Sequence, residues 1–142
     1  MSVLVGVALV GHGKSASGLL EAARAILGDA ALPDVVAIDA GVGKNALLDP
    51  VMCEAIERVD GGRGVVVLVD LLGASPCQCA QEQGDGHQVV VLSGLNLAMI
   101  LKLATVDRQV LDADAVAQAC ADTGRRSVAV RSVPLPPTGE SR

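Results

Sequence analysis

Val3-Leu4-Val5-Gly6-Val7-Ala8-Leu9-Val10-Gly11-His12-Gly13 runs eight residues without a polar side chain and then delivers a histidine between two glycines. A run this apolar, interrupted by no charge and ended by glycine, is the pattern of a β-strand buried on both faces rather than of an edge strand with one wet side. Residues 3–10 are therefore expected to form a central strand, with His12 in the turn at its carboxyl end.

Working outward, the same unit recurs. Residues 16–27 carry Leu19, Leu20, Ala23, Ile26 and Leu27 at helical spacing and stop at Gly28. Residues 35–38 read as a second strand, and 45–59 as a helix with Leu47, Leu48, Val51, Met52, Ala55 and Ile56 inside, closed by Gly61-Gly62. Residues 65–69 form a third apolar run, 74–83 a short helix, 89–92 a fourth strand and 96–104 a helix capped by Asn96. A last helix over 112–123 ends at Gly124 before a short strand-like piece, 127–130. Strands alternating with helices imply an α/β, doubly wound fold: a four-stranded parallel sheet in the order 2-1-3-4 with helices on both faces. Residues 1–131 are expected to make one domain, and 132–142, with Pro134, Pro136 and Pro137, a flexible tail. No internal repeat is visible.

In an open α/β sheet, ligands bind at the carboxyl ends of the strands, where the strand order reverses. In this order that crevice lies between strands 1 and 3, neighbours roughly 4.8 Å apart. His12 follows strand 1 and Asp70 ends strand 3, so the topology itself brings an imidazole and a carboxylate to one rim. A carboxylate that accepts from one ring nitrogen fixes the tautomer and leaves the other nitrogen as a nucleophile. Gly11, Gly13, Lys14 and Ser15 before the first helix, and Gly73, Ala74 and Ser75 before the third, are turns suited to an anion. Together these point to phosphoryl transfer through a phosphohistidine. Lys14 by itself reads as an ordinary solvated lysine, and His87, which precedes strand 4 at the opposite rim, as a surface residue.

Composition narrows the partners. The chain has 142 residues, 51% of them hydrophobic, yet no Phe, Tyr or Trp, so its core must be packed from Val, Leu, Ile, Ala and Met. A net charge of -5 and the lack of stacking side chains argue against nucleic acid. No stretch approaches the roughly 20 apolar residues of a membrane span, and Met1-Ser2-Val3 enters a strand without a basic leader. A cytoplasmic protein is expected. The cysteines, Cys53, Cys77, Cys79 and Cys120, lack Cys-x-x-Cys spacing and are read as small buried hydrophobes rather than as metal ligands or a disulfide. No metal site and no cofactor are expected.

Five strings in order, Val10-Gly11-His12-Gly13, Ser17-Gly18-Leu19-Leu20-Glu21-Ala22-Ala23, Leu68-Val69-Asp70-Leu71-Leu72-Gly73-Ala74-Ser75-Pro76, Ser93-Gly94-Leu95-Asn96-Leu97-Ala98-Met99 and Asp122-Thr123-Gly124-Arg125, carry a family likeness. They resemble the mannose-family IIA component of the bacterial phosphoenolpyruvate-dependent sugar phosphotransferase system. The resemblance implies that His12 takes a phosphoryl group from the histidine phosphocarrier protein and passes it to a separate IIB component. It implies that Asp70 bonds the His12 ring, and that Gly11, Gly13, Leu71 and Ser75 line the phosphate pocket. It also implies a homodimer in which 127–130 is an exchanged strand, and a link to the membrane only through the permease complex. The chain departs from the family pattern at Leu72 and Cys77, where an aromatic residue is common, and at Ala74, which replaces a glycine.

Three rival readings share the His12 motif. A cobalamin or sirohaem metal chelatase would need His87 at the same rim as His12. The phosphotransfer subunit of a dihydroxyacetone kinase would keep the phosphohistidine in another pathway, but the strings at 70–76 and 94–96 match the sugar branch better. A regulatory protein sensing its own phosphorylation would differ only in the next acceptor.

Overall fold

The computed structural model describes residues 3–40, 48–71 and 88–138. Four strands, β1 (Gly6–Gly11), β2 (Val36–Asp39), β3 (Val65–Val69) and β4 (Val89–Ser93), alternate with helices α1 (Ser15–Leu27), α2 (Leu48–Val59), α3 (Leu97–Leu103) and α4 (Ala113–Arg126). The sheet is parallel throughout, in the order β2-β1-β3-β4. Fold class and strand order are those expected. The helix expected over 74–83 lies outside the described residues.

Side chains alternate across each strand, and the two faces build two cores. Val5, Val7 and Leu9 of the first segment, with Val66 and Leu68 of β3, meet Leu20 and Ala23 of α1, Ile100 and Leu103 of α3, and Val116 and Cys120 of α4. On the other face Val10, Val65, Val67 and Val69 meet Ala55 and Ile56 of α2. Every residue of β1 and β3 is buried, whereas β4, at an edge, is half-buried. Each fully buried Val or Leu contributes roughly 1.5–3 kcal/mol. The absence of aromatic rings therefore costs the core little.

Three local expectations change. The last helix runs through Gly124 to Arg126 instead of stopping there. Gly124 is buried in the crossing of α4 with α3, where an added Cβ would stand 2.6 Å from Met99 Cε. It is a close-approach glycine, and the helix ends three residues later on Ser127, whose Oγ donates to the Gly124 carbonyl at 2.6 Å. Residues 127–130, expected as a strand exchanged within a dimer, pair with no strand among the described residues of the single chain, and Val128 and Val130 are 77% and 98% exposed. A strand needs a neighbour's backbone, and the described sheet offers this segment none. Finally, Cys53 is disulfide-bonded, not a thiol. Sequence spacing detects ligands close along the chain, whereas a disulfide joins residues that the fold brings together. Cys120 is free and buried, and burial pushes its thiol up to about 11.

The amino-terminal rim of the sheet holds an ionic knot around a buried arginine. Arg108, 7% exposed, donates from Nη1 and Nη2 to the Asp34 carboxylate at 2.7 and 2.9 Å, and from Nη1 to the Val5 carbonyl at 3.0 Å. The hydrogen bond from Arg108 holds the Asp34 carboxyl below the usual range, against its partial burial. Arg63 gathers the carbonyls of Arg108, Gln109 and Leu111 around its guanidinium. Together these fix the 104–111 connection to the start of β1.

Candidate active site at the carboxyl rim

β1 and β3 run in register to Val10 and Val69, so the residues that follow them emerge side by side. The Asp70 N–H donates to the Val10 carbonyl at 3.2 Å, extending the ladder by one step and fixing where the carboxylate starts. From there Asp70 Oδ2 accepts the His12 backbone N–H at 2.8 Å and meets the ring Nδ1 at 2.9 Å. Oδ1 lies 3.1 Å from the same Nδ1 and accepts the Leu71 N–H at 2.8 Å. Partial burial pushes the Asp70 carboxyl up, but the hydrogen bonds from the His12 N–H, the His12 ring and the Leu71 N–H outweigh it and hold the carboxyl below the usual range.

An ionised carboxylate can only accept, so Nδ1 carries the proton of the neutral ring and Nε2 the lone pair. The His12 side chain is 59% exposed and that of Asp70 26%. A nucleophilic nitrogen thus sits on an oriented ring that a second protein can reach.

The turn that carries His12 is built for sharpness. Gly13 takes a left-handed φ of 57°. At Gly11 a Cβ would stand 2.1 Å from Ser15 Oγ and 3.2 Å from the Ala16 nitrogen, so any larger residue would have to displace the Ser15 hydroxyl. The Ser15 N–H then donates to the His12 carbonyl at 3.0 Å and α1 begins. Lys14 is exposed and occupies the cap position without capping by its side chain. Leu71 is 65% exposed beside the carboxylate. Gly73, Ala74, Ser75 and His87 lie outside the described residues, as do the departures at Leu72 and Cys77. Among the described residues no three His, Cys, Asp or Glu side chains are placed to share a metal ion.

Residues 6–120 match the family model EIIA-man, described as the phosphotransferase system fructose IIA component. The chain belongs to this family. Over 61 residues this IIA-family chain is 36% identical to YadI of Escherichia coli (strain K12), a candidate phosphotransferase enzyme IIA component, a stretch that covers 42% of the chain and 41% of YadI. The solved mannose/sorbose specific IIA subunit of the phosphotransferase system from Enterococcus faecalis is 25% identical, with a TM-score of 0.68 over 94% of this chain and 99% of that one. The phosphotransferase system component EIIA from Streptococcus agalactiae shares the fold, with a TM-score of 0.73 at 22% identity over 89% and 97% of the two chains.

One pair escaped the sequence reading of this IIA-family chain. Asp39, the last residue of β2, stands beside Gly11 in the β1–β2 register and accepts the Ser17 N–H at 3.0 Å and the Ser17 hydroxyl at 2.5 Å. Its position was legible, since Asp39 ends an apolar strand at the rim where Asp70 follows one, but nothing local announces its partner Ser17.

Proposed function

We propose that the chain is a phosphocarrier of a sugar phosphotransferase system, receiving a phosphoryl group on His12 from the histidine phosphocarrier protein and delivering it to a separate IIB component. The observation that carries this reading is the Asp70 carboxylate bonded to Nδ1 of a half-exposed His12 ring. In the forward step the Nε2 lone pair attacks the phosphorus of the donor's phosphohistidine. The P–N bond to the donor ring breaks, and that ring keeps the electron pair. The His12 ring gains positive charge as the new bond forms, and Asp70, ionised and 2.9 Å from Nδ1, stabilises it without taking the proton. Delivery to IIB is the same displacement run with His12 as leaving group. Gly11, Gly13, Leu71 and Ser75 are assigned to the phosphate pocket, and the chemistry calls for no cofactor.

The working unit in this reading is a cytoplasmic homodimer of the domain 1–131, followed by the tail 132–142. Two features support the dimer: the half-buried edge strand β4, and the exposed Val128 and Val130 in a segment that pairs with no strand among the described residues, which a second copy would pair by strand exchange. No helix among the described residues is long and apolar enough to cross a membrane; contact with the permease is assigned to other components of the complex.

The reading is tested by incubating the protein with phosphoenolpyruvate, enzyme I and the phosphocarrier protein and measuring intact mass. One acid-labile phosphoryl group is expected on the native chain and none on His12→Ala. Asp70→Ala is expected to be slower by about 10²-fold or more, the scale at which loss of a proton-orienting partner is felt. Label that persists in His12→Ala would overturn the assignment.

A further inference from the structure

β1 is flanked at its carboxyl end by two aspartates, Asp70 on the β3 side and Asp39 on the β2 side, and only the first touches the His12 ring. Asp39 turns instead to the start of α1. Helix α1 has no side-chain cap of its own and no acidic residue in its first turn. Asp39 supplies both from another strand: Oδ1 accepts the Ser17 N–H at 3.0 Å, and Oδ2 the Ser17 hydroxyl at 2.5 Å. Hydrogen bonds from the Ser17 side chain and backbone, aided by the Lys14 ammonium and the Ala16 N–H, keep the Asp39 carboxyl below its usual range despite slight desolvation. The carboxylate is therefore charged at neutral pH and lies on the positive end of the helix dipole.

That placement has two consequences for the residues between. The Ala40 N–H donates to the Gly11 carbonyl at 2.7 Å and the Ser15 N–H to the His12 carbonyl at 3.0 Å, so the turn from Gly11 to Ser15 is tied to β2 at one end and to α1 at the other, with the Asp39 carboxylate joining the two anchors. The unpaired N–H groups of a helix start are also the place where a phosphate would settle. Here a protein carboxylate already fills that place.

We propose that Asp39 is a positioning residue for phosphoryl transfer at His12: it locks the His12 turn from the β2 side and reserves the α1 N-terminus, so that a phosphoryl group is held at the ring nitrogen and not drawn to the helix. This rests on His12 being the phosphoryl acceptor. Asp39→Asn keeps an acceptor for the Ser17 N–H and removes the charge; Asp39→Ala removes both.

Two measurements test it. In phosphorylation by the phosphocarrier protein, Asp39→Ala is expected to lower kcat about tenfold with KM for the donor unchanged, and Asp39→Asn to stay within about twofold of the native chain. A native rate in Asp39→Ala, or a change confined to KM, would overturn the positioning role. Ser17→Ala, which loses one of the two hydrogen bonds, is expected to fall between the two and serves if Asp39→Ala does not fold. In the second measurement inorganic phosphate is titrated into the unphosphorylated protein and followed by amide NMR. Shifts at the Ala16 and Ser17 N–H groups are expected in Asp39→Ala, which frees the Ser17 N–H, and not in the native chain. Shifts in neither, or equal shifts in both, would overturn the reservation of the helix end. Because the titration uses no donor protein, it decides the role of Asp39 at the helix even if the native chain takes up no phosphoryl group, an outcome that would instead sink the His12 reading.

Discussion

The two rims of the sheet use the same elements for opposite ends. At the amino-terminal rim Asp34 accepts two hydrogen bonds from a guanidinium that is 7% exposed, so the cation is hidden and satisfied while the carboxylate, 38% exposed, faces solvent. At the carboxyl rim Asp70 accepts from an imidazole that is 59% exposed, and the far side of the ring is open. Burial decides the difference. A pair with one buried member contributes rigidity and is expensive to break when the buried charge is the one left behind. An exposed pair contributes little stability and can change its charge when a new bond forms. The first pins the 104–111 connection to β1, and the second, in the function proposed for it, presents a nucleophile.

The sharpest way to break this comparison is to remove the cation from each rim. Arg108→Ala is expected to lower the unfolding free energy by about 1–3 kcal/mol in a urea titration, since it removes a buried guanidinium bonded to the Val5 carbonyl and to Asp34, a carboxylate that solvent then screens. His12→Ala is expected to abolish phosphoryl uptake and to shift the same titration by no more than about 1 kcal/mol. A large loss of stability in His12→Ala would mean that the two rims are not specialised.

Acid sharpens it further. Asp34, Asp39 and Asp70 all have carboxyls held below their usual range. A depressed folded-state pKa stabilises the fold above the unfolded-chain value, about 4, and that contribution is lost as pH falls through the folded value. The urea midpoint should thus be flat near neutrality and fall below about pH 4. Asp34→Asn should flatten the fall more than Asp70→Asn does, because its partner is the buried one; the reverse order would contradict the comparison.

The smallest effect belongs to a residue that only supports the carboxyl rim. Asn96 Oδ1 accepts the Met99 N–H at 3.0 Å and caps α3. Asn96→Ala is expected to cost about 1 kcal/mol of stability and to leave the rate of His12 phosphorylation unchanged. A slowed rate would show that α3 takes part in the site.

Much of this arrangement was legible in the sequence, and what was not has physical reasons. Apolar runs reveal buried strands, and the parallel topology carries His12 and Asp70 to one crevice without any motif. Gly124 misled because a glycine near a helix end has two meanings, a stop or a close approach to another helix, and only packing against Met99 tells them apart. Residues 127–130 have β-forming side chains, but a strand is a property of a pair. Asp39 was passed over because its partner, Ser17, is a helix residue 22 positions away, and capping from another strand leaves no local signature. Arg108 and Asp34 are 74 positions apart, and nothing in the spacing announces that they meet.

The most direct test of the His12–Asp70 geometry is long-range nitrogen–proton NMR of the phosphorylated chain, which identifies the ring nitrogen that carries phosphorus. With Nδ1 held by Asp70 at 2.9 Å, the phosphoryl group is expected on Nε2 of His12. A phosphoryl group on Nδ1, or on any residue other than His12, would contradict it.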